Sequence, residues 1–486
     1  MPVKNSVMKA TLKVHFETLG CRLNQDESEG AARAFCNAGF ITDMESCTAR
    51  SLPDSSVALA VINTCTVTGK AEQKARRIIR LVLDKCPAAV VIVTGCYAEL
   101  EGNAITQICP ERICILPGQK KSVLKDIALA MAAGSASGTD GRLSLAKIDS
   151  IIKSSSSEKK DAFVLYTPVF EKHSRASIKI QDGCNNSCTF CRIHLARGTS
   201  VSLDAQTVLE RIKTMEDTGV REAVFTGVNL SQYAGDFNGT KLSFGSLLEL
   251  LLKETSSIKF RVSSFYPQHI TPALCSILSS DRVQPSFHLS IQSGSDRILN
   301  LMSRPYDRDS VLKAVELLRK AKNNPFISCD IIAGFPSETE EDFALTQSLC
   351  SAAQFSWIHA FPFSARPGTK AYSMKPQIPE RIKGERVKWL FEKAVEGKTA
   401  YISSFKGKIL PAIVENSRSL RLSSPSAANF VRVNAVTENF LHAECLVPSK
   451  GFIPAPGTEV NVRIDSVLED SIRSGREVEC SGTLVL

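Results

Sequence analysis

Three cysteines stand close together in the sequence, at Cys184, Cys188 and Cys191, four and then three residues apart. Thiolates at this spacing can bind a single 4Fe–4S cluster, and three protein ligands leave one of its irons open to another molecule. A zinc ion is an alternative, although structural zinc sites usually have four protein ligands. Ordinary structural cysteines of a loop are a third interpretation. The spacing favours the cluster, and the open iron implies a bound small molecule.

A second set of three cysteines, Cys21, Cys65 and Cys96, is widely separated in the sequence, but each residue follows a predicted strand. The carboxyl ends of parallel strands share one edge of a sheet, so these thiols are expected to meet there. They would then form a second three-thiolate cluster with an open iron, although three unrelated core thiols would have the same spacing. Cys86, Cys109 and Cys114 lie in predicted helix or loop and are expected to be structural. The three predicted strands are Leu12–Leu19, Val57–Ile62 and Ala88–Val93.

The elements around these cysteines indicate an α/β protein with three domains. Strands alternate with helices over residues 11–132, which predicts a parallel sheet with helices on its faces. Residues 133–165, rich in Ser, Gly and Lys, are interpreted as a linker. Six strand–helix units in residues 170–404 fit an incomplete (β/α)6 barrel better than a flat doubly wound sheet, although periodicity alone does not separate the two. Residues 405–486 contain short β-rich runs separated by Pro, Gly and Ser, which predicts a small β-barrel.

Composition limits the class of protein. The 486 residues are 43% hydrophobic and 22% charged, which is typical of a globular protein with a hydrophobic core. Neither a signal peptide nor an apolar run long enough to cross a bilayer is apparent, so we expect a cytoplasmic protein without a membrane partner. In that reducing compartment the 16 cysteines are core residues, metal ligands or catalytic thiols rather than disulfides. The net charge of +9 agrees with an RNA partner or with a mildly basic surface.

The cysteine loop at the end of the first barrel strand resembles that of the radical S-adenosylmethionine (SAM) superfamily. The resemblance implies that the open iron chelates SAM, which is cleaved by one electron to a 5′-deoxyadenosyl radical. Phe190 matches the aromatic residue that lies near the adenine in that family, although an ordinary core aromatic is an equal alternative.

Local sequences extend the resemblance to the methylthiotransferases over nearly the whole chain. The stretch AEQKARR, residues 71–77, together with TLGCRLNQ, NTCTVT and TGVNL, is most similar to the MtaB type of this family, and the last domain occupies the place of its RNA-binding TRAM domain. One departure lies after Cys191, where the family usually has Ile-Val-Pro and this chain has Arg192, Ile193 and His194. The matching segments are TLGCRLNQ (18–25), NTCTVT (63–68), TGCYA (94–98), FTGVNL (225–230), HLSIQSGS (288–295), DIIAGFPSETEEDF (330–343) and FPFSARPGT (361–369).

The resemblance implies a reaction and its cofactors. The enzyme would replace the C2–H of N6-threonylcarbamoyladenosine, at position 37 next to the anticodon of tRNA, with C2–S–CH3. It would use two 4Fe–4S clusters, on Cys21, Cys65 and Cys96 and on Cys184, Cys188 and Cys191. A sulfur donor and a flavodoxin-like or ferredoxin-like electron donor would be its partners, and we expect a monomer.

Other branches of the family are alternatives: they modify isopentenyladenosine in tRNA or an aspartate of a ribosomal protein. A non-catalytic iron–sulfur RNA-binding protein is an alternative of a different class. For RNA contacts, a basic predicted helix with Lys70, Lys74, Arg76, Arg77, Arg80 and Lys85, and Lys406 and Lys408 at the start of the last domain, are candidates.

Polar residues at the ends of the barrel strands are the candidates for holding SAM, because such barrels place their active sites at that face. Each of these residues is also a common cap or turn residue, and only as a set do they indicate a site. The candidates are Thr226, Gly227, Asn229, Ser263, Gln292 and Ser293, with Ser264 and Gly334–Pro336 at neighbouring strand ends.

Overall fold

A computed structural model describes residues 12–137, 140–155, 162–168, 175–419 and 430–485. The chain divides into two compact units. The first contains the described residues up to Thr167, together with Asp182–Asn185 and Arg192–Val201, and the second contains the other described residues. None of the helices in these ranges is both long enough and apolar enough to cross a membrane.

The first unit is built on a five-stranded parallel sheet with the strand order β2-β1-β3-β4-β5. Strand β3, Val57–Thr64, lies at its centre and is buried along its whole length, as expected for a parallel strand that is covered on both faces. The other strands are β1 (Lys13–Thr18), β2 (Ile41–Asp43), β4 (Val90–Gly95) and β5 (Ile113–Ile115). The helices are α1 (Arg22–Asn37), α2 (Gly69–Lys85), α3 (Cys96–Thr106), α4 (Val123–Ala136) and α5 (Leu145–Ser154).

Two apolar clusters hold this sheet, one on each face. Phe16 and Phe35 belong to the first cluster, with α1 and α4. Ile62 and Ile79 belong to the second, with α2. Helix α5 contributes buried Ile148 to the first cluster, so a helix lies within the residues that the sequence marks as a linker. Residues 138–139 and 156–161 of that predicted linker, including most of its SSSSEKKD stretch, lie outside the described residues.

The second unit begins with an open barrel of parallel strands. Its two parallel sheets have the orders β12-β9-β6 and β13-β14-β15-β16, and β12 and β13 are separated by Ser263 alone, so the six predicted strand positions are all occupied. The strands are β6 (Ala176–Lys179), β7 (Gln181–Asp182), β8 (Val201–Ser202), β9 (Glu222–Thr226), β10 (Gly235–Phe237), β11 (Thr240–Leu242), β12 (Lys259–Val262), β13 (Ser264–Phe265), β14 (Ser286–Gln292), β15 (Phe326–Ala333) and β16 (Trp357–Pro362). The helices of this part of the chain are α6 (Ile193–Arg197), which falls in the first unit, α7 (Ala205–Asp217), α8 (Phe244–Glu254), α9 (Pro272–Leu278), α10 (Asp296–Leu301), α11 (Arg308–Ala321), α12 (Glu340–Ala353), α13 (Lys370–Ser373) and α14 (Glu380–Ser403).

The last part of the second unit is a small closed barrel with the strand order β17-β18-β19-β21-β20. Its apolar interior includes Val462 and Cys480 and is continuous with Phe326 and Tyr401 of the preceding barrel and helix α14. This shared core explains why both barrels form one compact unit. The elements are β17 (Ile409–Ser419), β18 (Phe430–Thr437), β19 (His442–Pro448), β20 (Glu459–Val467), α15 (Glu469–Arg473) and β21 (Cys480–Val485).

Candidate active site

Cys21, Cys65 and Cys96 lie at the carboxyl ends of three adjacent strands, β1, β3 and β4. Cys21 precedes the first residue of α1, Cys65 follows β3 directly, and Cys96 opens α3. Each thiol is within electrostatic range of the other two. Burial, with the nearby Cys21 and Cys96, raises the pKa of Cys65 to about 11. The structure therefore brings this set of cysteines together as expected from the strand ends.

Glycines immediately before two of these cysteines permit the approach. Gly20 has φ of +100°, and a Cβ there would lie 2.6 Å from Cβ and 2.9 Å from Sγ of Cys65. Gly95 has φ of +94°, and its Cβ would lie 2.3 Å from the carbonyl oxygen of Thr64. L-residues rarely adopt such φ values, and no side chain has room here. Both positions thus require glycine for the strand ends to carry their thiols side by side.

The separation of the three thiols fits a cluster better than a single ion. Sulfur ligands of one tetrahedral zinc lie about 3.8 Å apart, given Zn–S bonds of about 2.3 Å. Among the described residues, one group of three His, Cys, Asp or Glu side chains has all its ligand atoms within 4.8 Å of one another, and it is His15, Glu17 and Cys47. Cys21, Cys65 and Cys96 do not form such a group. At least one pair among the thiols of Cys21, Cys65 and Cys96 is therefore more widely spaced, which leaves room for several metal ions.

Arg197 supplies positive charge to this thiol set. Its guanidinium is 7% exposed and lies near Cys21 and Cys96. It donates hydrogen bonds to Oε1 of Glu27 at 3.0 Å, Oδ1 of Asp182 at 2.9 Å and Oδ1 of Asn24 at 2.7 Å. A fixed cation favours thiolates over thiols, as metal ligation requires. The sequence pattern contains Arg197 within the family motif but gives no indication of this role.

The residues after Cys191, where the resemblance departs, form the short helix α6. His194, at the position of the family's proline, is the second residue of this helix. The first N–H groups of a helix have no intrahelical acceptor, so either residue type is compatible with this position. The amide of Cys184 donates to the carbonyl oxygen of Gly198 at 3.0 Å, which fixes one end of the cysteine loop against the residue after this helix.

Arg304, which the sequence analysis did not identify, lies beside the other part of the loop. Its Nη1 is 3.3 Å from Sγ of Cys188 and donates to the hydroxyl of Tyr266 at 2.7 Å. The guanidinium carbon also lies 5.6 Å from the ring centre of Phe190. A buried cation that donates to a ligand sulfur stabilises the more negative state of a cluster. No motif marks Arg304, because the contact depends on the path of the loop after α10.

Thr226 ends β9, and Gly227 and Asn229 follow it, but part of their hydrogen-bonding capacity is used within the fold. The Asn229 side chain accepts from the amide of Ser231 at 3.2 Å and so caps a short 3-10 helix. Its own amide donates to Oε1 of Gln181 at 2.8 Å. A Cβ at Gly227 would lie 2.7 Å from the Leu230 side chain. Asn229 and Gly227 thus have a role in the local fold in addition to the role in holding SAM that the sequence predicts.

Ser263, Gln292 and Ser293 differ from one another in their surroundings. The buried hydroxyl of Ser263, between β12 and β13, has no hydrogen-bond partner in the described structure. Gln292 ends β14 with φ of +74°, a strained conformation often found at functional sites. Ser293 is fully buried, and its hydroxyl accepts from the amide of Ser295 at 3.2 Å. The orphaned hydroxyl of Ser263 and the strained Gln292 fit a bound ligand, whereas Ser293 is engaged in the fold.

A polar row crosses three adjacent strands of the open barrel. His288 on β14 contacts Oδ2 of Asp330 on β15 at 3.1 Å and Oγ of Ser328 at 2.9 Å. The ring of His359 on β16 lies 5.4 Å from that of His288. Burial would raise the pKa of Asp330, but the hydrogen bond and charge of His288 outweigh it and lower this pKa. His288 and Asp330 stand within motifs quoted above, but sequence spacing did not bring them together.

Comparisons with known proteins identify the family of this chain. Residues 178–350 match the Radical SAM superfamily, and residues 13–116 match a family described as Uncharacterized protein family UPF0004. The chain is 40% identical to the threonylcarbamoyladenosine tRNA methylthiotransferase MtaB of Treponema pallidum, over 93% of this chain and 98% of that protein. It is 34% identical to MtaB of Bacillus subtilis over 83% and 84% of the two chains. Identity to the tRNA-2-methylthio-N(6)-dimethylallyladenosine synthase of Anaplasma phagocytophilum is 28%, over 85% and 88%. The chain therefore belongs to the MtaB type of the radical SAM methylthiotransferases.

Proposed function

We propose that this protein is the enzyme that replaces the C2–H of N6-threonylcarbamoyladenosine, at position 37 of tRNA, with a methylthio group. The observation that carries the proposal is the meeting of Cys21, Cys65 and Cys96 at one sheet edge, in a chain that also holds the CxxxCxxC loop. One cluster would suffice to cleave SAM, whereas sulfur insertion needs a second place where sulfur is held. The 40% identity to a relative named for this substrate supports the choice of nucleoside.

The residues present fit two 4Fe–4S clusters. Cys184, Cys188 and Cys191 would hold one, and Cys21, Cys65 and Cys96 the other. When bound, the first supplies the electron that cleaves SAM, and the second holds the sulfur to be inserted. Arg304 donates to the Cys188 sulfur, and Arg197 offsets the negative charge of the second set of thiolates. Each set of thiols thus has a buried arginine beside at least one of its members.

The barrel would hold SAM at its carboxyl-terminal face. Ser263 has the free hydroxyl for this role, and Gln292 has the strained backbone. Thr226, Gly227 and Asn229 would lie along the methionine moiety, Ser293 would support the neighbouring turn, and Phe190 would pack near the adenine. The clusters, SAM and the substrate base must all be shielded from water for a radical to react selectively.

For tRNA, the exposed side of α2 is the candidate contact surface. Lys70, Lys74 and Arg77 are exposed and follow one another at the i, i+4, i+7 spacing of a single helix face. Such a row can neutralise several phosphates without reading sequence. The enzyme would act as a monomer in the cytoplasm, and a sulfur donor and a flavodoxin-like or ferredoxin-like electron donor would serve it.

The test is a nucleoside profile of tRNA from cells that lack this protein. We expect 2-methylthio-N6-threonylcarbamoyladenosine to disappear and its unmethylthiolated precursor to accumulate. The wild-type chain should restore the product, and so should Cys36→Ser, which alters an exposed cysteine on α1 outside both thiol sets. Cys65→Ala should not restore it. An unchanged level of the product in the deletion strain would refute the proposal, and loss of the methylthio form of isopentenyladenosine instead would assign the enzyme to that branch.

A further inference from the structure

A second group of metal-ligating residues lies in the first unit and has no part in the proposed reaction. His15 and Glu17 alternate on β1 with Val14 and Phe16, so they point to the opposite face of the sheet. Both are only 2% exposed. Burying an imidazole beside a carboxylate is costly unless both have strong partners. Here both have polar partners, since Oε1 of Glu17 accepts from the amide of Cys47 and His15 contacts Asp43, so the residues form a buried polar group beside the sheet.

Cys47, in the segment after β2, completes a compact set with them. Its Sγ lies 3.4 Å from Nε2 of His15, and Oε1 of Glu17 lies 3.6 Å from the same nitrogen. All three ligand atoms lie within 4.8 Å of one another. In a tetrahedral zinc site, sulfur and nitrogen ligands lie about 3.6 Å apart and nitrogen and oxygen ligands about 3.4 Å apart, given the usual bond lengths. The three ligand atoms are therefore already spaced as the ligands of a single zinc ion would be.

An outer partner of His15 is also present, and Cys86, the buried residue after α2, lies near Cys47 but outside the compact set. Asp43 places Oδ2 3.3 Å from Nδ1 of His15, and its other oxygen accepts from the amide of Glu45 at 2.9 Å. A carboxylate on the remote nitrogen of a histidine directs the other nitrogen toward a metal.

We propose that His15, Glu17 and Cys47 bind one zinc ion, with Asp43 orienting His15. The two positive charges of zinc offset the Cys47 thiolate and the Glu17 carboxylate, which lowers the cost of burying them. The ion joins two separate pieces of the first unit: β1 and the segment after β2. Because β1 leads into Cys21, the site fixes the strand that delivers one of the cluster thiols.

The experiment uses the full chain, purified without oxygen and with both clusters assembled, and measures metals by mass spectrometry. We expect about one zinc per chain in addition to the iron. The zinc X-ray absorption spectrum should show mixed sulfur and nitrogen or oxygen ligands. His15→Ala and Cys47→Ser should lose the zinc and keep the iron, whereas Cys36→Ser should keep both. Asp43→Asn should weaken zinc binding about 10- to 100-fold in competition with a chromophoric chelator.

Three results would overturn the site: absence of zinc from the wild-type chain, zinc bound by sulfur alone, or a disulfide between Cys47 and Cys86 in its place. Zinc bound by sulfur alone would mean that it occupies the cluster thiols. If His15→Ala or Cys47→Ser does not fold, the wild-type absorption spectrum and Asp43→Asn, which alters a partly exposed side chain, still decide. Because zinc is measured independently of tRNA modification, this result and that of the nucleoside profile can be told apart.

Discussion

Replacing Gly20 with alanine should remove the cluster at Cys21, Cys65 and Cys96 while leaving the rest of the fold in place. The added Cβ would lie 2.6 Å from Cβ of Cys65, whereas non-bonded carbons prefer at least about 3.5 Å. One of the two groups must therefore move by about 0.9 Å, which is the difference between these distances. Cys65 is a proposed cluster ligand, so displacement on either side separates its thiol from the other two.

A second glycine provides a matched control. Gly39, after α1 in the same unit, has φ of +92°, and a Cβ there would meet nothing within 4 Å. Gly39→Ala thus has the same backbone strain, about 1–2 kcal/mol, without a clash. Overpacking adds about 1–3 kcal/mol. We expect Gly39→Ala to lower the free energy of unfolding by about 1–2 kcal/mol and Gly20→Ala by about 2–5 kcal/mol.

The decisive assay is iron content together with SAM cleavage in anaerobically reconstituted protein. Gly20→Ala should lose about four of about eight irons, form 5′-deoxyadenosine when reduced, and fail to methylthiolate tRNA. Gly39→Ala should keep its full iron content, its cleavage of SAM and its methylthiolation of tRNA. If Gly20→Ala keeps its full iron content and its methylthiolation, the close approach of Gly20 to Cys65 does not govern cluster assembly and the reasoning fails.

Further predictions concern the arginines and one buried carboxylate. Arg304→Gln should lower the reduction potential of the CxxxCxxC cluster by on the order of 100 mV, since a charge-assisted hydrogen bond to Cys188 is lost. Redox titration measures this potential. The control Arg308→Gln removes a hydrogen bond to Ser348 instead and should leave the potential unchanged. Arg197→Met should reduce the iron bound at Cys21, Cys65 and Cys96 but not the cleavage of SAM. Equal loss of iron binding and SAM cleavage would contradict the assignment of Arg197 to these thiols. Against the effect of burial, Arg261 holds the pKa of Glu222 at about 2, below its ordinary value of 4.5. The resulting stabilisation, on the order of 3 kcal/mol, is present above about pH 4.5 and is lost as the pH falls toward 2. Denaturant unfolding should show this loss in the wild type and a flatter pH dependence in Glu222→Gln.

Much of the fold could be predicted from the sequence because its periodicity is regular. The apolar pattern predicts strands over Glu222–Thr226, Phe326–Ala333 and Trp357–Pro362 and helices over Phe244–Glu254 and Glu340–Ala353, and β9, β15, β16, α8 and α12 have these bounds. The pattern predicts a helix from Glu27, whereas α1 already begins at Arg22, because Leu23 is the single apolar residue among Arg22–Asp26. In the last domain the pattern predicts β-rich runs over Phe430–Val433, Leu441–Leu446 and Val460–Ile464 but none at β21, because its residues, CSGTLV, lack a clear alternation.

The meeting of the three strand-end cysteines was predictable, since a parallel sheet places such residues at one edge. Arg304 beside Cys188, and Arg197 beside Cys21 and Cys96, were not predictable. Their positions depend on loop paths and on contacts between residues up to 176 apart, and nothing local specifies those contacts. The linker interpretation overlooked α5 because its apolar residues, Ile148 and Ile152, are few and stand among serines and lysines.

The strand order of the small closed barrel affects how this chain is made. Strand β21 lies between β19 and β20, so these two earlier strands are not paired with each other. While a ribosome still covers Cys480–Val485, β19 and β20 each present an unpaired edge, and unpaired edges template aggregation. The barrel can close only after Cys480–Val485 have emerged and paired with both strands. Until then, these two open edges are the part of the C-terminal barrel that needs protection from other chains.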